Sequence, residues 1–442
     1  MRIYKYLILY YIITIFTSIF QPAYTLSYLE SPPNKQFFND GKLGDFTYKN
    51  SIYTVQLSRE GWPLSYPILD IKDQIPLLLS FDELDEDPQN YSYTLIHCNA
   101  DWEPSNILQN DYLEGMHNEI IRDYEFSRNS LQSYVHYELR IPNEDVKPII
   151  SGNYIVKVYE NYNEENVVLT RRFFLVDHLV SISGEAKRTN NLNFFDSHQE
   201  IDFTIQHERI RLDDPNKNIQ VVIVQNFDFE TSVSELHPTF ITPGELVYDY
   251  EEENIFPGIS ENRHFDTKNL KIVTEGIDFI RFERPLNHVY LLPDASRSIG
   301  DYVYEEDLNG KFFIKWDEGF DADTDADYAY VHFSLPFDAP LTEGSVRLFG
   351  GLTDWSDNMR YELNYNYDSK SYEISTLLKQ GYYNYQYRFK PERAPVDPGF
   401  FEGAFFETEN DYLIFVYYQD FSLRYQQLVG FEIFNTINKN ND

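Results

Sequence analysis

Apolar and polar residues alternate with a period of two along most of the chain. That spacing predicts half-buried β-strands, whereas an amphipathic helix repeats every 3.6 residues. In residues 330–337, Val331, Phe333, Leu335 and Phe337 share one face, and His332 and Ser334 lie on the other. Val135, Tyr137, Leu139 and Ile141 alternate in the same way with His136, Glu138 and Arg140. Ile201, Phe203 and Ile205 alternate with Glu200, Asp202, Thr204 and Gln206, and Tyr383, Tyr385, Tyr387 and Phe389 with Asn384, Gln386 and Arg388. Turn formers such as Ser151-Gly152-Asn153 and Asp213-Asp214-Pro215-Asn216 separate these runs at short intervals, a rhythm that predicts antiparallel sandwiches. The best helix signal, residues 375–380, reads equally as a short connection ending at Gly381.

The fold expected is all-β, with three tandem immunoglobulin-like or early-set sandwiches, in line with the about three domains that 442 residues suggest. The first sandwich is expected over residues 50–177, the second over 178–322 and the third over 323–442. Asp321, Asp323, Asp325 and Asp327 alternate with Ala322, Thr324 and Ala326 at the last boundary and read as a solvated linker. Before the sandwiches, Arg2 and Lys5 precede an uncharged apolar run over residues 7–20, shorter than the ~20 residues of a membrane span. Residues 1–25 are therefore expected to be a secretory signal peptide, and 26–49 a lead-in segment. The absence of any Cys before Cys98 removes a lipidated N-terminus.

Charge narrows the partners. The chain has 36 Lys+Arg against 72 Asp+Glu, a formal net charge of −36. Counterion-release binding to nucleic acid needs clustered cations, and the same acidity repels anionic lipid, so neither nucleic acid nor direct lipid insertion is expected. Removing residues 1–25 removes two cations and no acid, which makes the exported chain 34 − 72 = −38. The lone Cys98 excludes an intrachain disulfide and a multi-thiolate metal site.

Candidate chemistry is sparse. The aspartate run resembles the start of an EF-hand loop, but Ala326 stands where that loop needs Gly and His332 where it needs a bidentate Glu, leaving a linker or an irregular Ca²⁺ site. His97 and Cys98 are adjacent, so in a strand they point to opposite faces and cannot act as base and nucleophile. Cys98 then reads as a small core residue and Trp102 as a sandwich anchor. The sequence has no G-x-S-x-G, no H-E-x-x-H and no phosphate-binding glycine loop. No catalytic residue, metal or cofactor is expected. Among the aromatics, Trp355 after Phe349-Gly350-Gly351, with Tyr383 and Tyr385 on a Tyr-rich strand, resembles the sugar-stacking face of glycogen-binding early-set domains. These residues support an alternative reading as an exported glycan-binding or polysaccharide-processing accessory protein.

A more extensive resemblance comes from the first segment. Residues 52–57, 64–68, 79–84, 93–102, 112–115 and 151–154, with Leu169-Thr170-Arg171-Arg172-Phe173, resemble the plug protein family of the Bacteroidota type IX secretion system. Residues 326–328, 331–333 and 378–385 resemble it too. The resemblance implies a non-enzymatic periplasmic protein that docks on the giant outer-membrane β-barrel translocon and its associated complex and closes the pore when it is idle. Such a protein associates with the outer membrane only peripherally, through the translocon. The Tyr and Asn richness would then serve a polar, releasable interface.

Overall fold

The computed structural model describes residues 43–85, 87–419 and 422–437. The expected signal peptide, and the lead-in up to residue 42, lie outside the described residues. Strands dominate, and the helices among the described residues are single turns such as Ala322–Asp325. None is long and apolar enough to cross a membrane.

The first pair of sheets has one layer in the order Ile52–Arg59, Leu77–Glu83, Val135–Ile141 and Asp123–Phe126. The facing layer runs Phe46–Thr47, Val167–Val176, Gly152–Glu160, Tyr91–Cys98 and Glu119–Ile120, with Ile68–Asp70 parallel to Val167–Val176. Leu79, Phe81 and Tyr137 from the first layer meet Tyr93, Val156 and Leu169 from the second in one core. The end of the lead-in thus supplies an edge strand to this sandwich.

A second pair sets Ser181–Arg188, His198–Gln206, Glu245–Tyr248 and Phe240–Thr242 against a sheet ordered Asp228–Val233, Ile219–Gln225, Asp411–Tyr418 and Gln427–Asn435. The two pairs are themselves stacked. Phe174 and Ile155 of the first pair pack on Val222, Val224, Leu413 and Phe415 of the second, and the Phe174 and Phe415 rings stack at 4.3 Å. The opposite face of that second sheet, with Val221, Ile223, Ile414 and Val416, covers Ile201, Phe203 and Ile205. Four sheets are therefore layered, and the inner two are buried on both faces. That is why Val167–Val176 and Asp411–Tyr418 read as near-continuous apolar runs while Val135–Ile141, in an outer layer, alternates.

Leu113–Gly115 and Val146–Pro148 form a separate two-stranded ribbon, Ile255–Pro257 pairs with His198–Gln206, and a further nine strands form one sheet. Its path runs Arg263–Asp266, Gly381–Pro391, Gly344–Phe349, Glu362–Asn366, Ser371–Lys379, Tyr328–Pro336, Leu286–Leu291 and Ile277–Glu283, and Phe312–Ile314 pairs with Gly381–Pro391 off that path. The sheet curls over its own core, so that Phe333 meets Tyr385 edge-on at 5.0 Å and Phe265 at 5.6 Å.

This strand order differs from three consecutive segments. Asp411–Tyr418 pairs with Ile219–Gln225 along its whole length, so the end of the expected 323–442 segment belongs to the second pair of sheets. Conversely, Arg263–Asp266, Ile277–Glu283 and Leu286–Leu291, from the expected 178–322 segment, join the nine-stranded sheet. The cause is burial. Ile219–Gln225 is apolar on both faces, and Asp411–Tyr418, buried over most of its length, pairs with one of its edges while Asp228–Val233 takes the other.

Two local expectations change as well. Residues 375–380 lie largely within the strand Ser371–Lys379, held by pairing with Tyr328–Pro336 on one side and Glu362–Asn366 on the other. The aspartate run is a packed junction rather than a solvated linker. Asp321 caps the turn Ala322–Asp325, and the Asp327 carboxylate accepts hydrogen bonds from the backbone N–H groups of Leu131 and Gln132. The tyrosines also move inward: among the described residues, the largest fully buried side chains are all tyrosines, including Tyr93, Tyr154, Tyr328 and Tyr417.

Candidate functional site

The strands around Trp355 bring all three sheet systems to one cleft of about 90 Å³, lined among others by Tyr66, Arg171, Lys311, Asp354 and Trp355. Asp354 and Trp355 both adopt positive φ in the tight loop after Gly350, and the Asp354 side chain reaches the first pair of sheets. Arg171 donates to the Asp354 carboxylate, and Thr47 Oγ1 donates to the same group at 2.7 Å. The Trp355 ring lies edge-on to Phe227 and Phe349, with centroids at 6.1 and 5.9 Å. Lys311 sits over the Tyr66 ring, its Nζ 3.5 Å from the centroid. Burial pushes the Lys311 ammonium down to about 8, although Asp411 and Asp307 pull the other way. Tyr66 in turn donates to Asp411 Oδ2 at 2.9 Å.

A second polar junction is deeper. Asp82, on Leu77–Glu83, accepts from Lys379 Nζ at 2.7 Å, from the Tyr328 hydroxyl at 2.6 Å and from His136 Nδ1 at 2.6 Å. Burial alone would raise the Asp82 carboxyl, but Lys379 and His136 outweigh it and hold the group below its ordinary range. Both junctions join the first pair of sheets to the nine-stranded sheet through paired charges, largely buried in the first and fully buried between Asp82 and Lys379 in the second. An uncompensated charge at such a site is strongly destabilising, so the pairing favours one relative placement of these sheets.

The adjacent His97 and Cys98 lie outside both junctions. Cys98 is buried, and burial pushes its thiol up to about 12. His97 faces Tyr112 and Tyr154, whereas Cys98 lies in the core on the opposite face of the strand. Burial pushes the His97 imidazole down to about 4, and its Nδ1 is committed to Ser105 Oγ at 2.8 Å. Trp102 is the anchor expected of it, edge-on to Phe174 and Phe229 and with the Arg172 guanidinium over its ring.

The three aromatics of the glycan reading do not form a platform. Tyr383 and Tyr385 are 2% and 3% exposed. Their hydroxyls bond Lys379 O at 2.6 Å and Asp294 Oδ2 at 2.7 Å, and their rings pack in the core with Phe265, so neither presents a face to a sugar. Trp355 is only half-buried but is committed to Phe227 and Phe349.

The residues that organise the two junctions, Asp82, Arg171, Lys311, Asp354 and Lys379, were not singled out as site residues from sequence. The one available signal was Arg171-Arg172 inside an apolar run, since arginines in a doubly buried strand require partners.

Exposed apolar side chains gather on strands at the ends of the sheet orders: Tyr124 and Phe126 on Asp123–Phe126, Phe240 and Ile241 on Phe240–Thr242, and Phe279 and Phe282 on Ile277–Glu283. Edge strands offer unpaired backbone groups beside these side chains, the ordinary means of adding a partner chain.

Comparison with known proteins places the geometry in context. The profile of the type 9 secretion system plug protein 1st domain matches residues 52–177, the first pair of sheets without its edge strand Phe46–Thr47. The solved structure of a hypothetical protein from Parabacteroides merdae ATCC 43184 is similar, with 32% sequence identity and a TM-score of 0.87, covering 89% of this chain and 99% of that one. No curated protein matches significantly.

Proposed function

Because the chain belongs to the type 9 secretion system plug protein family, we propose that it is a periplasmic plug that docks on the outer-membrane β-barrel translocon and closes its pore while no substrate is in transit. The observation that carries this reading is the profile match over residues 52–177, which takes in all of the first sheet pair except its edge strand Phe46–Thr47. The physical requirements of the role agree. A wide barrel lumen leaks small solutes, so a resting pore needs a stiff obstruction. Stacked sheets tied by buried ion pairs supply stiffness without a disulfide. The charge of −36 disfavours adhesion to anionic lipid and leaves recognition to a specific protein surface. The role is non-enzymatic, and attachment to the outer membrane is peripheral, through the translocon.

The test is a deletion of the whole gene in a strain whose translocon is held idle. The outer membrane becomes leaky to small dyes, and the wild-type chain restores the seal. Unchanged dye entry would falsify the plugging role. Recovery of the tagged chain with the barrel subunit from solubilised outer membranes checks the partner separately.

A further inference from the structure

His136 and Glu138 project from the same face of Val135–Ile141, two residues apart, and the turn Ala322–Asp325 of the nine-stranded system brings Asp323 over them. One ligand atom from each of the three lies within 4.8 Å of the others. The imidazole is 6% exposed, and its Nε2 is buried with no hydrogen-bond partner. Its other nitrogen is committed: Nδ1 donates to the Asp82 carboxylate at 2.6 Å. That bond fixes the ring and aims Nε2 at the acids. A carboxylate behind the imidazole is the arrangement that orients histidine ligands in metal sites.

The gap is the wrong size for a direct hydrogen bond. Nε2 stands 3.9 Å from Glu138 Oε1, beyond the 2.7–3.2 Å of an N–H···O bond. Two ligands at about 2.0–2.2 Å from one tetrahedral cation stand roughly 3.3 Å apart, a separation that small rotations of Glu138 and the exposed Asp323 reach. The other polar contacts leave this possible. Glu138 Oε2 pairs with Arg140 at 3.2 Å, and Asp323 uses its backbone, accepting from Lys379 Nζ at 2.7 Å and donating to Asp321 Oδ1 at 3.2 Å. The comparable trio Glu200, Asp202 and Asp249 differs, because Lys187 already pairs with Glu200 and Asp202.

We propose that His136, Glu138 and Asp323 form a binding site for a divalent cation of the zinc type, which latches the first pair of sheets to the nine-stranded sheet. One imidazole and two carboxylates suit Zn²⁺; Ca²⁺ prefers an all-oxygen shell of six to eight ligands. The exposure of Asp323 leaves a path for entry and a position for water as the fourth ligand.

The experiment uses the full chain stripped with a chelator and titrated with Zn²⁺ against a chromophoric competitor. One ion binds per chain, and Asp323→Asn and Glu138→Gln each weaken binding by about tenfold or more. Zn²⁺ also raises the Tm of the wild-type chain, and raises that of Asp323→Asn by less at the same concentration. Asp323 is exposed, so this variant folds even where His136→Gln, which strips Asp82 of a partner, does not. Failure of the folded wild type to take up Zn²⁺, equal uptake by wild type and both variants, or displacement of Zn²⁺ by equimolar Ca²⁺ overturns the site.

Discussion

Lys379 Nζ lies 2.7 Å from Asp82 Oδ2, and both side chains are buried although 297 residues separate them. The pair joins the strand Ser371–Lys379 of one sheet system to Leu77–Glu83 of another. Lys379→Met leaves a buried carboxylate short of its main countercharge and costs about 3–5 kcal/mol. Adding Asp82→Asn removes the stranded charge and restores at least half of that loss. Urea unfolding at neutral pH measures both, and equal losses in the single and double variants refute the account.

His97 gives the stability a slope with pH. In the unfolded chain it titrates near 6.5, and in the folded chain burial pushes it down to about 4. Below 6.5 the unfolded chain takes up a proton that the folded chain refuses, so stability falls as pH drops from 6.5 towards 4. The slope approaches 1.4 kcal/mol per pH unit within that window. His97→Gln flattens it. Urea midpoints at several pH values for both chains test this, and parallel pH profiles contradict it.

Gly115 has φ +98°, and a Cβ there would stand 2.1 Å from the backbone oxygen of Asp145. Gly61 has φ +80° and nothing within 4 Å of the same position. Gly115→Ala therefore meets both backbone strain and a collision and costs about 2–4 kcal/mol, whereas Gly61→Ala meets strain alone and costs about 1 kcal/mol. Thermal unfolding ranks the two, and a reversed order rules out the collision as the larger effect.

Trp355 fills the space between Phe227 and Phe349. Trp355→Ala lowers stability by about 2–3 kcal/mol, less than for a fully buried Trp because the ring is half-buried. It leaves retention on a glucan column where the wild type has it. A selective loss of retention with stability intact would restore the sugar-stacking reading.

The outer layer with Val135–Ile141 and the nine-stranded sheet with Tyr328–Pro336 were legible in the sequence because one more exposed face imposes alternation. The first sheet pair was legible too, since its strands are near neighbours in the chain. What alternation conceals is the depth of a strand in the stack. Tyr383 and Tyr385 alternate with polar residues, yet the intervening Asn384 and Gln386 are buried as well, bonded to Leu308 N and Ser260 O. A tyrosine with a buried hydroxyl partner and one awaiting a ligand look alike in sequence. The Asp82, His136 and Lys379 constellation was equally hidden: Asp82 and His136 face each other across paired strands of one sheet, but Lys379 reaches them only through the packing of a strand 297 residues from Asp82.

The return of Asp411–Tyr418 to the edge of Ile219–Gln225 sets an order of assembly. A chain that emerges N-terminus first can close the sandwich of residues 52–176 as soon as those strands are out, but the middle layer waits for almost the whole polypeptide. Until then Val222 and Val224 lack the strand that completes their sheet, and the face of Val167–Val176 that they cover stays open. Maturation thus has a checkpoint at the far end of the chain: loss of the last two strands leaves the first sandwich with a greasy, uncapped side, a natural substrate for holdases and proteases of the compartment in which it folds.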